Sequence, residues 1–465
     1  MKSSSRGANK HQMALSQYVF FLLLVATASV FTRRILAVRR NILLGRDIDR
    51  SDRKGERWAN MARVALGQSK MVVRPVSGIL HIIVYVGFIV INLEMLEIVI
   101  DGVFGTHRVF AHWLGGAQGL YGLMIGAFEW LAVGVLLACV VFLIRRNVLR
   151  IARFHSAEMK PWPKSDANII LVTEIVLMSA FLLMNASDGL MHEEFAFAVS
   201  SSLQPLLTGV SEAGLHWIER GAWWLHIVGV MAFLIYITYS KHFHILLAFP
   251  NTWYARLEPM GRMDNMASVK KEVDLMMDPN VDPYAAPPEG EQAEAPAAFG
   301  ARDVQDLTWK QLMEAYSCTE CGRCTSVCPA NLSGKKLSPR KVMMDTRDRL
   351  EEVGKAIGKA DKAVSKDGAA CANWGGDGKS LLGDYISEEE LWACTTCQAC
   401  VEACPLNIEP MGIILDLRRN LIMEDSKAPE PITSMFNNVE NNGAPWAFPA
   451  ADRGKWADSL DSDTN

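Results

Sequence analysis

Eight of the ten cysteines in this chain fall in two short runs. The first holds Cys318, Cys321, Cys324 and Cys328 and ends at Pro329; the second holds Cys394, Cys397, Cys400 and Cys404 and ends at Pro405. Each reads C-x2-C-x2-C-x3-C-P, a spacing that wraps three thiolates around one [4Fe–4S] cube and, where two runs are present, sends the fourth thiolate to the other cube. The spacing therefore assigns Cys318, Cys321, Cys324 and Cys404 to one cluster, and Cys394, Cys397, Cys400 and Cys328 to the second. Structural zinc would call for two separated C-x2-4-C pairs closing one tetrahedron, not four cysteines within eleven residues, twice. A disulfide framework does not suit flanks with the helical and charge features of a cytoplasmic domain. Cys139, in an apolar run, reads as packing, and Cys371 receives no role.

Histidines form the second set. His81 lies in one long apolar stretch, and His226 and His244 lie toward the two ends of another. On a continuous helix, their 18-residue separation is five turns, which puts both on one side about 27 Å apart. His242 would point roughly the other way. An imidazole buried among lipid is costly and usually functional. His81 with His244 could fill the two axial positions of a b-type haem held between facing helices. A second haem would use His226, with His107, His112 or His192 as its partner. Glu94, Glu97, Glu129 and Glu174 also fall inside apolar stretches. They read either as proton carriers for quinone chemistry or as carboxyls paired with an arginine or a hydroxyl.

The elements that must position these groups are visible in the composition. Five apolar stretches, about 17–38, 76–100, 119–144, 168–190 and 222–248, exceed the roughly 20 residues needed to span a bilayer. Twelve Lys/Arg follow the first stretch, from Arg33 to Arg74, and six follow the third, from Arg145 to Lys164. The N-terminus and the other two connections hold five. The positive-inside rule then places the N-terminus outside and residues 249–465 in the cytoplasm, on the inner membrane of the cell. A cleaved leader, suggested by Lys2, Arg6 and Lys10 before the first stretch, would leave four spans and turn the cysteines outward, against those eighteen basic residues. Residues 261–465 carry 22 Lys+Arg against 34 Asp+Glu, a net −12, and the rest of the chain is net +8. No basic run is interleaved with aromatics, so nothing points to nucleic acid.

The fold class expected is all-α: a five-span transmembrane bundle over 1–250, a linker over 251–305, an α-helical two-[4Fe–4S] ferredoxin domain over 306–426, and a tail over 427–465 for partner contact. Residues 275–300, acidic and rich in Pro and Ala, read as a flexible tether. Asp306 or Thr308 caps a helix leading into the first cysteine run, and Ser387 caps one leading into the second. Pro339 opens a helix to about Glu352, and Pro410 opens one to about Glu424 with Ile413, Ile414, Leu417 and Leu421 on one face. The Gly-rich stretch 367–383 reads as a loop.

On the stretches 318–329, 337–340 and 392–405, residues 308–424 resemble the iron–sulfur module in the C subunit of heterodisulfide reductase. The five spans are similar in layout to the cytochrome b gamma subunit of respiratory nitrate reductase. There, two histidines 18 apart on the fifth span bind two haems with two histidines on the second; here His226 and His244 match, and the second span offers His81 alone. The fusion of both parts, with residues 240–244 closing the last span, resembles the membrane Fe–S oxidoreductases that accept electrons from electron-transfer flavoprotein. Full-length members continue into cysteine-rich domains with a Cys-Cys pair, which this chain lacks. The resemblance therefore implies a separate partner similar to the B subunit of heterodisulfide reductase.

The expected function is that of a quinone-linked respiratory oxidoreductase subunit. It would carry two [4Fe–4S] clusters, b haem and a quinone substrate, and pass electrons from a cytoplasmic donor to quinone. The reverse path, from quinol to a cytoplasmic disulfide or sulfur reductase, is the alternative. A non-redox anchor or scaffold with structural clusters is the reading from another class.

Overall fold

The computed structural model describes residues 6–116, 119–192, 197–280, 298–363 and 376–462. Helices dominate it, and no strand occurs among the described residues, only isolated bridges such as Arg46 with Thr308. Among the described residues, five helices are long and apolar enough to cross a membrane: α1 (Arg6–Ile42, apolar from Leu15), α2 (Pro75–Phe104), α3 (Leu120–Asn147), α4 (Trp162–Met191) and α5 (Glu212–Ile237). Their ends follow local chemistry. Pro75 supplies the first turn of α2, where its missing N–H costs nothing, and Gly105 closes that helix at φ 69°. The Ser211 hydroxyl accepts from the Gly214 amide at 3.2 Å and caps α5. Inside the bundle, Tyr121, Phe128 and Phe181 are almost fully buried, whereas Leu22, Leu93, Leu123 and Leu225 stand exposed on the outer faces. An apolar exterior around satisfied backbone is what a lipid environment selects.

The fifth stretch departs from the expected single helix over 222–248. Helix α5 ends at Ile237, and Ser240 is extended (φ −111°, ψ 159°) with its side chain accepting from the His242 amide at 3.1 Å. A 3₁₀ turn over Lys241–Phe243 then leads into α6 (His244–Trp253). A serine that caps from within the chain competes with the helix and ends it. His226 and His244 therefore sit on different helices, and five continuous turns do not relate them.

Asn251 is fully buried, donates to the Leu406 carbonyl at 2.8 Å and accepts from Lys310 at 2.9 Å. Residues 281–297 of the expected tether, and Cys371 with most of the Gly-rich stretch, lie outside the described residues. Helix α7 (Trp309–Ser317) is capped by Thr308; Asp306 instead closes a separate capping box with Asp303. Helix α8 (Pro339–Ala363) runs about three turns beyond the expected end. Helices α9 (Glu388–Trp392) and α10 (Pro410–Met423) follow, and Ile413, Ile414, Leu417 and Leu421 are all buried. The tail holds α11 (Glu430–Asn442), on which Met435, Phe436 and Val439 are exposed.

The two halves share one core. Val38 and Ile42 of α1, and Phe243, pack with Leu307, Leu312, Leu350 and Leu417. Helix α1 runs past the apolar bundle and lies against α8, where a Cβ on Gly354 would come within 2.2 Å of the Asn41 side chain. Asn41 donates to the Tyr316 hydroxyl at 2.9 Å, Tyr316 donates to Glu351 at 2.6 Å, and Arg34 reaches the same carboxylate at 2.6 Å. One end of the bundle is thus joined to the cysteine-bearing domain by packing and by buried polar contacts.

Candidate functional site

Each cysteine run is delivered by a helix with a reciprocal N-terminal capping box, Thr308 with Gln311 on α7 and Ser387 with Glu390 on α9. The backbone then turns the same way twice. Glu320 (φ 53°) and Gly322 (φ 69°) are left-handed in the first loop; Thr396 (φ 56°) and Gln398 (φ 59°) are left-handed at the same offsets in the second. This conformation turns amides inward. The Thr396 N–H points to the Cys394 sulfur at 3.4 Å, and the Glu320 amide supports Cys318 likewise.

The sulfurs gather across the runs. Cys318, Cys321, Cys324 and Cys404 line one hollow, which Cys400 also borders. Cys394 and Cys400 lie in the field of Cys328 and Cys397. Cys324 and Cys400 meet where the two groups adjoin. Burial above all, reinforced by neighbouring sulfurs, pushes Cys318 and Cys400 up to about 12 and Cys404 up to about 11. Thiols so reluctant to ionise give up their protons when a metal takes their place. The donor set is all sulfur, which suits iron–sulfur clusters. Cys318, Cys328 and Cys400 are buried, whereas Cys397 is exposed, so the second group reaches the surface.

The first loop is seated on the connections between the spans. Arg323 donates to the Lys70 carbonyl at 2.8 Å, and Arg74 reaches Ser326 at 2.8 Å. Arg340 is fully buried; it donates to the Arg153 carbonyl and to Glu158, both at 2.6 Å. Lys241, in the break after α5, forms an ion pair with Glu320 and donates to the Pro163 carbonyl at 2.6 Å. Glu320 also takes Arg347 at 2.7 Å. Sequence reasoning missed Lys241 and Glu320. A lysine closing an apolar stretch was the available signal, but its partner is 79 positions away.

His81 and His244 come together on α2 and α6 with ring centres 6.4 Å apart and planes tilted by 39°. Metal–imidazole bonds of about 2 Å on both sides of one ion, with roughly 1 Å more to each ring centre, put two axial imidazoles about 6 Å apart. The His244 Nδ1 pairs with the Lys241 carbonyl at 3.1 Å, which leaves Nε2 as the free nitrogen. The His81 Nδ1 is buried without a hydrogen-bond partner. This pair therefore fits an axially ligated haem. His242 does not point away: it lies edge-on to His244 at 5.4 Å and against Phe233 at 5.6 Å, because the chain is no longer helical there.

At the far end of the bundle the histidines sort differently. His226 is buried, pairs through Nδ1 with the Leu177 carbonyl at 3.0 Å and packs on Phe181. His107 and His192 lie together, ring centres 5.2 Å apart, on either side of Asp188. His112 is exposed on a short helix, Val109–Trp113. Two of the acids are paired: Glu97 accepts from Tyr121 at 3.0 Å and from the Phe110 amide at 2.8 Å, and Glu129 accepts from Asn185 at 3.1 Å and the Val199 amide at 2.7 Å. Glu174 lies near Cys139. Glu94 is buried, and its Oε2 has no hydrogen-bond partner. It borders a cavity of about 180 Å³ walled by Phe20, Trp223 and Trp224. Arg108, another residue not found from sequence, ties this end together through Asp188 at 2.8 Å, Asn185 at 3.0 Å and Tyr121 at 3.1 Å.

Comparison with known proteins agrees with this architecture. A family described as "4Fe-4S dicluster domain" matches residues 317–408, and a second of the same description matches 284–333. A protein named "Probable iron-sulfur-binding oxidoreductase FadF", from Bacillus subtilis, is 27% identical over 86% of this chain and 54% of its own length. The EtfAB:quinone oxidoreductase of Syntrophomonas wolfei is 26% identical over 95% of this chain and 60% of its own. The chain thus spans between half and two thirds of these relatives. The C subunit of the ferredoxin/F(420)H(2)-dependent CoB-CoM heterodisulfide reductase of Methanosarcina acetivorans is 32% identical over 25% of this chain and 53% of its own length. No solved structure matches.

Proposed function

We propose that this chain is a membrane electron-transfer subunit. It passes electrons from a cytoplasmic donor, through two [4Fe–4S] clusters and b haem, to quinone. The donor side would be a partner Fe–S protein like the B subunit of heterodisulfide reductase, fed by electron-transfer flavoprotein. The domain bearing the clusters would face the cytoplasm from the inner membrane. The observation that carries the reading is the 6.4 Å approach of His81 and His244, with Lys241 linking His244 to the first cysteine loop through Glu320. The similarity to a protein named EtfAB:quinone oxidoreductase supports the choice of quinone.

When bound, the clusters and haem supply single-electron transfer, and the protein supplies ligands, spacing and dielectric. Cys318, Cys321, Cys324 and Cys404 hold the cluster nearer the bundle. Cys394, Cys397, Cys400 and Cys328 hold the one that reaches the surface, where Cys397 meets a donor. The Lys241 carbonyl orients His244, and the Lys241 ammonium holds the loop of the first cluster through Glu320. The far-end cavity, with aromatic walls and the unpartnered Glu94 oxygen, has the mixed character of a site for a quinone head group. His226, one helical turn from Trp223, is the candidate ligand for a second haem on that side.

Similarity to a heterodisulfide reductase component supports the opposite direction of flow, from quinol to a cytoplasmic disulfide or sulfur reductase. Reduced-minus-oxidised spectra of the purified protein, with iron and haem quantified, test the core of both readings. About eight cluster irons per chain and one or two b haems are expected. Stoichiometric zinc without haem would refute both.

A further inference from the structure

We propose that His107, Asp188 and His192 form a binding site for a divalent transition cation of the zinc class at the far end of the bundle. One donor atom from each lies within 4.8 Å of the others. The His192 Nδ1 is 2.8 Å from the Asp188 Oδ1, and the His107 Nε2 is 3.5 Å from the same oxygen. Ligand atoms around a tetrahedral zinc with bonds of about 2.0–2.1 Å stand roughly 3.4 Å apart. Small side-chain rotations therefore suffice to receive the ion.

The surroundings favour such a site. Asp188 is 2% exposed, and its second oxygen is held by the Arg108 Nε at 2.8 Å. Arg108 is itself anchored by Asn185 and Tyr121. Hydrogen bonds of this kind orient a ligating carboxylate and set its free oxygen toward the metal. Both imidazoles are nearly half exposed, so an ion can enter from solvent. Two imidazoles and one carboxylate leave a fourth position for water, the open arrangement of three-ligand zinc sites. The imidazoles select against calcium and magnesium, which prefer all-oxygen shells. His107, Arg108 and Asp188 also border the cavity that contains Glu94, so the ion would sit on its rim. That cavity is the one proposed for the quinone head group, but His107, Asp188 and His192 are not ligands of the proposed clusters or of the haem at His81 and His244.

The test uses the full-length protein in detergent with its clusters in place, so that the cysteines are occupied. It is titrated with Zn²⁺ and, for its spectrum, with Co²⁺. The wild type should bind one cation more per chain than His107→Ala/His192→Ala, with the visible bands of tetrahedral Co²⁺. His192→Gln alone should weaken Zn²⁺ at least tenfold, whereas His112→Ala, which removes an exposed histidine outside the set, should change nothing. Cluster absorbance and helical circular dichroism report whether each variant is folded. Equal stoichiometry in the wild type and His192→Gln, or loss of the cation in His112→Ala, would overturn the site.

Discussion

Lys241 and Glu320 form a buried ion pair that joins the break after α5 to the loop between Cys318 and Cys321. The carbonyl of the same lysine takes the His244 Nδ1 at 3.1 Å. One residue therefore touches the loop of one proposed cofactor and a proposed ligand of another. Removing one partner of a buried pair strands the other charge, at a cost of about 3–5 kcal/mol. Glu320 keeps Arg347 at 2.7 Å, so Lys241→Met should lower the unfolding free energy by less than that and shift the visible spectrum of any haem held by His244. Thermal melts and difference spectra of the purified variant check both.

The pair also sets a pH dependence. Burial alone would raise Glu320, but Lys241 and Arg347 hold its carboxyl below the ordinary value of 4.5. A carboxyl depressed in the native state stabilises it fully above that value and loses the contribution as pH falls through the native one. Wild type and Glu320→Gln should thus differ in stability above pH 4.5 and converge below it. Denaturant unfolding across that range measures the gap; a constant gap down to the most acidic values would contradict the assignment.

The crossed ligand sets make a prediction that uncrossed ones do not. Cys404→Ser should remove the same cluster as Cys321→Ser, and Cys328→Ser the same one as Cys397→Ser, each with a loss of about four irons. Electron paramagnetic resonance of the reduced variants distinguishes the two clusters. Matching spectra within each run, rather than across runs, would count against the assignment.

His81→Ala and His244→Ala should abolish one and the same haem band, whereas His242→Ala should retain it. His226→Ala should leave that band unchanged and remove a second one if a far-end haem is bound. Visible spectra of membranes expressing each variant are sufficient. Retention of the band in His244→Ala would break the pairing.

The loop backbone offers a stability test. Gln398 adopts the left-handed conformation that Gly322 adopts in the other run. That conformation costs a non-glycine residue about 1–2 kcal/mol. Glycine recovers it at an entropic cost of about 0.5–1 kcal/mol, so Gln398→Gly should be neutral or stabilising by up to about 1.5 kcal/mol. Gly322→Ala should do the opposite, because its Cβ would stand 2.5 Å from the Nη1 of Arg340, whose guanidinium is fixed by Arg153 and Glu158. Cluster lifetime in air and melting temperature should rank the variants in that order.

Much of this protein was legible in one dimension because the determining interactions are local. A cysteine run must present three ligands of its cluster within a few residues, and a span must be apolar over the thickness of a bilayer, so spacing and length reveal both. The capping boxes at Thr308 and Ser387 close within three positions and could be read in the same way. The break at Ser240 could not, because five turns of apolar residues look continuous until a serine side chain captures the His242 amide. Nor could the company of each histidine. The pairing of His81 with His244 was legible as two histidines on facing helices, but only packing set His107 and His192 around Asp188 and put Phe181 against His226. Buried charges such as Arg108, Lys241 and Arg340 are decided last. A buried ion is tolerated only where partners from distant segments converge on it, and that convergence belongs to the folded chain.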